Sequence, residues 1–156
     1  MKLTYATLCC LLIFATACNK RKNDSPTGRM LMSGKWQIIA STYTTTYMGR
    51  DTVIDFYSNW RACEQDDFMV LKAKGKGTSN ENTNKCAEDD QESEFTWELQ
   101  NNDTRLQLTL AKGKFVANGG NTITSDILEI SDNTLKLQSL DSNGSRPPTI
   151  ETYTKY

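Results

Sequence analysis

Glu94-Phe95-Thr96-Trp97-Glu98-Leu99-Gln100 alternates polar and apolar side chains without a break. A strand turns successive side chains to opposite faces, so Phe95, Trp97 and Leu99 share one face while Thr96, Glu98 and Gln100 share the other. The apolar face is buried and the polar face is wet, as in an antiparallel sheet laid over one core. Downstream, Asn101-Asn102-Asp103 supplies turn chemistry and leads into Leu106, Leu108 and Leu110, again every second residue.

The same grammar runs through the rest of the chain. Trp36, Ile38 and Ala40 alternate with Lys35, Gln37 and Ile39, and residues 42–47 continue with β-branched and aromatic side chains, which predicts a long first strand. A second strand is expected over residues 67–72, a turn at Lys74-Gly75-Lys76-Gly77, and a weaker strand over 78–82. Gly113 marks a bend before Phe115-Val116-Ala117, and Asn118-Gly119-Gly120 opens a hairpin into residues 122–130. Ser131-Asp132-Asn133 closes that hairpin into Leu135 and Leu137, and residues 149–156 form the last strand. Helical periodicity never exceeds a turn or two, around residues 57–62. Seven to nine short strands with frequent turns predict an all-β, antiparallel barrel or sandwich.

The first 33 residues belong to a different regime. Met1-Lys2 is followed by an apolar stretch peaking at Leu8-Cys9-Cys10-Leu11-Leu12-Ile13-Phe14, then by Ala15-Thr16-Ala17-Cys18. A cationic start, a short apolar run and small residues before a cut site make residues 1–17 a secretory signal. The run is too short for a span, which needs about 20 apolar residues. Cysteine directly after Ala-x-Ala marks Cys18 as the lipid-attachment residue of a lipoprotein, the alternative being a plain cleaved signal. Two or more acyl chains there, at about 0.8 kcal/mol per buried methylene, make a lasting membrane anchor. Lys20, Arg21 and Lys22 then lie at headgroup level, or simply solvate a linker. Residues 18–33 lack apolar periodicity and read as a flexible tether, which would hold the domain roughly 20 Å from its anchor. Residues 34–156 are the right size for one domain.

The formal net charge is -1, and loss of residues 1–17 removes one cation, Lys2, leaving -2; no electrostatic footprint for nucleic acid exists. Once Cys9 and Cys10 leave with the signal and Cys18 is lipidated, Cys63 and Cys86 remain. In an exported chain they are expected to pair as a disulfide. The competing reading, metal binding, has too few soft ligands because the chain contains no histidine. The enclosed segment, Thr78-Ser79-Asn80-Glu81-Asn82-Thr83-Asn84-Lys85, is too polar to bury much, so the crosslink compensates. The acidic run at residues 88–94 lacks the alternating ligands and central glycine of a calcium loop and reads as a solvated turn.

Absence of histidine also excludes Ser/His and Cys/His nucleophile arrangements, so no catalytic residue is assigned and no enzymatic role is expected. Glu64, Asp66 and Asp67 are the one set of clustered carboxylates that could do acid/base work. Gly75-Lys76-Gly77-Thr78 lacks the first glycine and the following helix of a phosphate loop. No cofactor and no metal is called for.

Leu31-Met32-Ser33-Gly34-Lys35-Trp36, Cys63-Glu64-Gln65-Asp66-Asp67, Cys86, Trp97 and the hairpin between Ile127 and Leu137 together resemble the lipocalin-like domains of lipoproteins from Bacteroidetes bacteria. The resemblance covers most of residues 31–156. One departure is Leu71, which stands where the family often has a phenylalanine four residues before Gly75. The resemblance implies an up-and-down barrel of about eight strands that could carry a small hydrophobic ligand against Trp36, Ile38, Trp97 and Leu99, or fill itself with those side chains, Leu106 and Leu108. A filled barrel would instead act as an interaction module for an envelope protein or glycan. Basic rather than acidic residues after Cys18 imply the outer membrane, facing the periplasm.

Overall fold

The computed structural model describes residues 23–86, 90–111, 121–139 and 147–156. Among the described residues nine strands form one antiparallel sheet: β1 (Lys35–Tyr47), β2 (Arg50–Asp55), β3 (Phe68–Lys72), β4 (Lys76–Asn80), β5 (Glu92–Gln100), β6 (Arg105–Leu110), β7 (Thr122–Ile130), β8 (Thr134–Ser139) and β9 (Thr149–Lys155). β1 pairs with both β3 and β9, closing β1 and β3 to β9 into an eight-stranded barrel; β2 is an extra strand paired with the far end of β1. The expected strands at residues 115–117 and the turn at 118–120 lie outside the described residues, as do the proposed signal and Cys18. No helix among the described residues is long and apolar enough to cross a membrane.

Two features depart from the sequence expectation at the start of the chain. Residues 24–33 are not a loose tether: Ser25 caps a short helix, α1 (Pro26–Leu31), by accepting from the Gly28 N–H at 3.1 Å, and Leu31 is completely buried. Gly28 is required because a side chain there would collide with the Asn23 carbonyl. Asn23 is buried too, its Nδ2 donating to the Trp97 carbonyl at 3.2 Å while its Oδ1 accepts from the Leu99 N–H at 2.9 Å. This side chain does for β5 what a neighbouring strand would, beyond the point where β4 has ended. Asn23→Ala leaves a buried donor and acceptor unmet and is expected to cost about 1–3 kcal/mol in urea unfolding, with faster amide exchange at Leu99.

The second departure is β2 itself, which the alternation did not mark because nearly all its residues are exposed. Met48 and Gly49, both at positive φ, form the tight turn that folds residues 50–55 back on β1.

The core runs through Leu31, Trp36, Met69, Leu71, Phe95, Trp97, Leu99, Leu106, Leu135 and Leu137. Leu71, the family departure, is 1% exposed, so leucine serves the inward face of β3. Gly77 lies opposite Phe95 in register, and its missing side chain leaves room for the phenyl ring. Two bulges interrupt the alternation, at Ile39 in β1 and at Leu128 in β7. Each inserts a residue without a partner on the neighbouring strand, which is why these two large apolar side chains are half exposed.

Candidate functional site

The ends of the barrel differ. Helix α1, the β3–β4, β5–β6 and β7–β8 turns and the C-terminus gather at one end, which Leu31 plugs. There the Trp36 indole N–H donates to the Leu31 carbonyl at 2.8 Å, and Trp97 Nε1 donates to the carbonyls of Lys72 and Lys76 at 3.0 and 2.8 Å. Four residues expected to contact a ligand, Trp36, Ile38, Trp97 and Leu99, all face inward and are all buried. Both indole donors are already used by the backbone.

The opposite end is lined differently. The bulge at Ile39 shifts the phase of β1, so that Ser41 rather than Ala40 turns inward, directly across from Glu151. Glu151 in turn lies opposite Leu137, and Tyr153 opposite Leu135, which fixes both on the inner face. Tyr153 donates its hydroxyl to Glu151 Oε2 at 2.6 Å. Ser125 and Ser139 face each other across β7 and β8, and Ser139 Oγ accepts from the Thr149 N–H at 3.1 Å. Ser41 is wholly buried and its Oγ has no hydrogen-bond partner.

On this side of the barrel Leu108, Leu110, Ile123, Ser139, Glu151 and Tyr153 keep some accessible surface while Ser41 and Ser125 are buried; Leu31, Trp36, Trp97 and Leu99 at the plugged end keep almost none. Glu151 lies on the inner face of the barrel wall and is half-buried. Tyr43, Phe56, Trp60 and Tyr57 form a chain of edge and tilted ring contacts, with centroids 5.5–6.4 Å apart, beside this mouth.

Burial raises the Glu151 carboxyl above its ordinary value near 4.5, partly offset by the Tyr153 hydrogen bond. Tyr153 is pushed well above its ordinary range by burial, then by the charge and hydrogen bond of Glu151. The described inward neighbours on β1, β7 and β8, namely Ser41, Tyr43, Ser125, Leu137 and Ser139, bring no charge. The unfolded chain therefore gives up this proton first as pH rises. The stabilisation is complete below the ordinary carboxylate range and is lost as pH climbs through the raised value. Urea midpoints measured from acid to neutral pH should show that decline, and Glu151→Gln should flatten it.

The clustered acids have structural partners instead. Glu64 pairs with Arg61 at 2.9 Å and also accepts from the Arg61 backbone N–H; burial would raise its carboxyl, but Arg61 draws it below the ordinary value. Asp66 Oδ2 accepts from the N–H groups of Thr83 and Asn84 and from the Thr83 hydroxyl at 3.1–3.2 Å. These bonds, with the Cys63–Cys86 disulfide, tie the polar excursion after β4 to the segment before β3. The acidic run expected to be a turn instead enters β5 at Glu92.

A groove of about 640 Å³ lies elsewhere, beside Asn23, Lys74, Thr96, Glu98, Gln107 and Thr109. It is partly open to solvent, and its walls come from residues 23–24, Met32, the β3–β4 turn and the outer face of β5 and β6.

A family model for the lipocalin-like domain matches residues 31–137, more than half of the chain. The chain belongs to the lipocalin-like domain family. Two solved structures are similar at low identity. A lipocalin-like protein from Bacteroides uniformis ATCC 8492 is 16% identical with a TM-score of 0.47, covering 81% of this chain and 99% of that one. An uncharacterized protein from Bacteroides eggerthii DSM 20697 is 15% identical with a TM-score of 0.41, covering 79% and 98%. No curated protein matches.

In this lipocalin-like barrel, Ser41, Glu151 and Tyr153 escaped the sequence reading. The last strand carries Glu151 and Tyr153 on one face and Ile150, Thr152 and Thr154 on the other. A carboxylate two residues before a tyrosine was the available signal, but polarity alone points that face to water.

Proposed function

We propose that this lipocalin-like protein is a lipoprotein of the cell envelope, palmitoylated and diacylated at Cys18 and held at the outer membrane facing the periplasm. In this reading its barrel takes up a small hydrophobic molecule. The observation that carries the uptake reading is the asymmetry of the barrel. One end is plugged by Leu31 and the two indoles, while Leu108, Leu110, Ile123 and Glu151 on the inner face toward the other keep some accessible surface.

An anchor at Cys18 would have a direction. Asn23 is fixed at the plugged end, and five residue steps from Cys18 span at most about 18 Å. An anchor at Cys18 would therefore hold the plugged end to the bilayer and turn the mouth away from it. In this reading the protein is not an enzyme, and Glu64 and Asp66 hold loops.

Two measurements test the proposal. Mass spectrometry of protein purified from its native envelope should find a lipid-modified Cys18, and Cys18→Ala should move the protein from the membrane to the soluble fraction. Titration with medium-chain aliphatic compounds should give saturable, one-to-one calorimetric binding; a flat titration removes the carrier reading.

A second reading, docking of an envelope protein or glycan, is favoured by the projecting β1–β2 ribbon, where Tyr47, Met48 and Val53 are 66–85% exposed. Stoichiometric co-purification of a partner, lost on Tyr47→Ser with Val53→Ser, would support it.

A further inference from the structure

We propose that the plugged end of the barrel is a docking face for an anionic lipid surface, on which Lys35, Lys72, Lys74 and Lys76 meet lipid phosphates. The docking face rests on the anchor at Cys18 for what brings it to a bilayer, and adds to that anchor a contact made by the folded body.

Adjacent strands supply the cations. Lys35 opens β1 beside β3, and Lys72, Lys74 and Lys76 crowd the β3–β4 turn. All four are exposed. Lys72 stands directly across from Lys76, and Lys74 sits between them at the tip of the turn, in a left-handed conformation with φ 62°. Like charges facing each other across a ladder repel. None of the four makes an ion pair with a described acid; the Lys35 ammonium lies 4.5 Å from the Phe68 ring centroid, a contact that leaves its charge in place. An anionic surface would relieve this crowding from outside.

Acids at this end lie to the side. Asp24 and Glu98 line the groove beside Lys74, and Asp103 and Asp132 sit further round the rim, on the β5–β6 and β7–β8 turns. Arg105 and Lys136 are matched by Asp126 and Glu129. Chain connectivity brings further positive charge: Asn23 is fixed here by its bonds to β5, so Lys20, Arg21 and Lys22 lie within about 11 Å of extended chain. The opposite end has the other sign, since the β1–β3 and β4–β5 connections, residues 48–67 and 81–91, carry more acids than bases. A negative surface therefore attracts one end of the body and repels the other. Tyr156, half exposed beside Lys35, adds an aromatic ring of the kind that settles at headgroup level. Lysines spread over several strands suit a sheet of headgroups rather than one soluble phosphate.

Co-sedimentation with lipid vesicles tests the face, using residues 18–156 with Cys18→Ser, a chain that keeps every described residue. Binding is expected to vesicles of equal parts phosphatidylglycerol and phosphatidylcholine, to disappear in high salt, and to be absent with phosphatidylcholine alone. Lys72→Ser with Lys76→Ser should weaken it roughly thirtyfold, about fivefold for each lysine at an anionic surface. Their urea midpoint should hold or rise, because a repelling pair is gone. Arg50→Ser with Lys85→Ser removes the same charge from the other end and should change binding by less than about twofold. Equal losses in the two double variants, equal binding to both vesicle types, or displacement by millimolar inorganic phosphate at constant ionic strength would overturn the docking face. The anchor is read separately. Vesicle binding that fails while native Cys18 proves lipid-modified removes the face and leaves the anchor; an unmodified Cys18 with vesicle binding intact removes the anchor and leaves the face.

Discussion

Trp36→Ala is expected to destabilise the domain by about 3–5 kcal/mol, a large share of the roughly 5–15 kcal/mol that holds a typical domain folded. Trp36 is wholly buried, and its ring packs in the same core as Leu31, Leu71 and Leu135. The substitution opens a cavity where the barrel is most tightly filled. It also strands the Leu31 carbonyl that the indole N–H now satisfies at 2.8 Å. Because that bond fastens α1 to β1, the loss should loosen the plug as well as the core. Urea unfolding should show the midpoint shift, and hydrogen exchange should show early opening of residues 26–36. A loss below about 1 kcal/mol would mean that the plugged end is not the packed end.

Removing the Cys63–Cys86 crosslink, as Cys63→Ser with Cys86→Ser, should cost about 3 kcal/mol in the loop-entropy account. The bridge joins residues 23 apart in sequence and encloses β3, β4 and the polar excursion beyond them. Cys86 is 3% exposed although its neighbours are hydrophilic, so the bridge supplies the burial that the sequence around it does not. The native fold should persist in the double variant, because Asp66 still holds Thr83 and Asn84 by three hydrogen bonds. Limited proteolysis should therefore cut first near residues 81–86, before the barrel strands yield. Equal urea midpoints for the oxidised and variant proteins would show that the excursion is held by Asp66 alone.

The strands with a polar outer face were legible because alternation is a local property. Phe95, Trp97 and Leu99, or Leu135 and Leu137, declare one buried face whatever lies across from them. β2 was not legible for the complementary reason: it buries almost nothing, so it carries no apolar stripe and exists through its ladder with β1. The helix at residues 26–31 hid in a Pro-, Thr- and Gly-containing stretch. Its one deeply buried side chain, Leu31, has no periodic companion to announce it.

The candidate site was less legible than the fold. Trp36, Ile38, Trp97 and Leu99 were the natural choices for a ligand wall because large apolar side chains are conspicuous. The structure buries all four on the inner face, as the self-filled alternative expects. Glu151 and Tyr153 look in sequence like ordinary wet residues of an edge, and only closure of β9 onto β1 turns them inward. Ser41 is hidden by the bulge at Ile39, since a strict period of two assigns the inward position to Ala40.

From the chain alone came the all-β class, the turns, the inward faces of most strands and the expected pairing of Cys63 with Cys86, because each rests on neighbours in sequence or on the chemistry of the residue itself. The tertiary structure decided which end of the barrel is plugged, that Asn23 and Leu31 belong to the body, and that a carboxylate, a phenol and an unpartnered hydroxyl lie on the inner face. Those outcomes depend on ring closure and on single-residue bulges, which set the phase of a strand against partners more than 70 residues away.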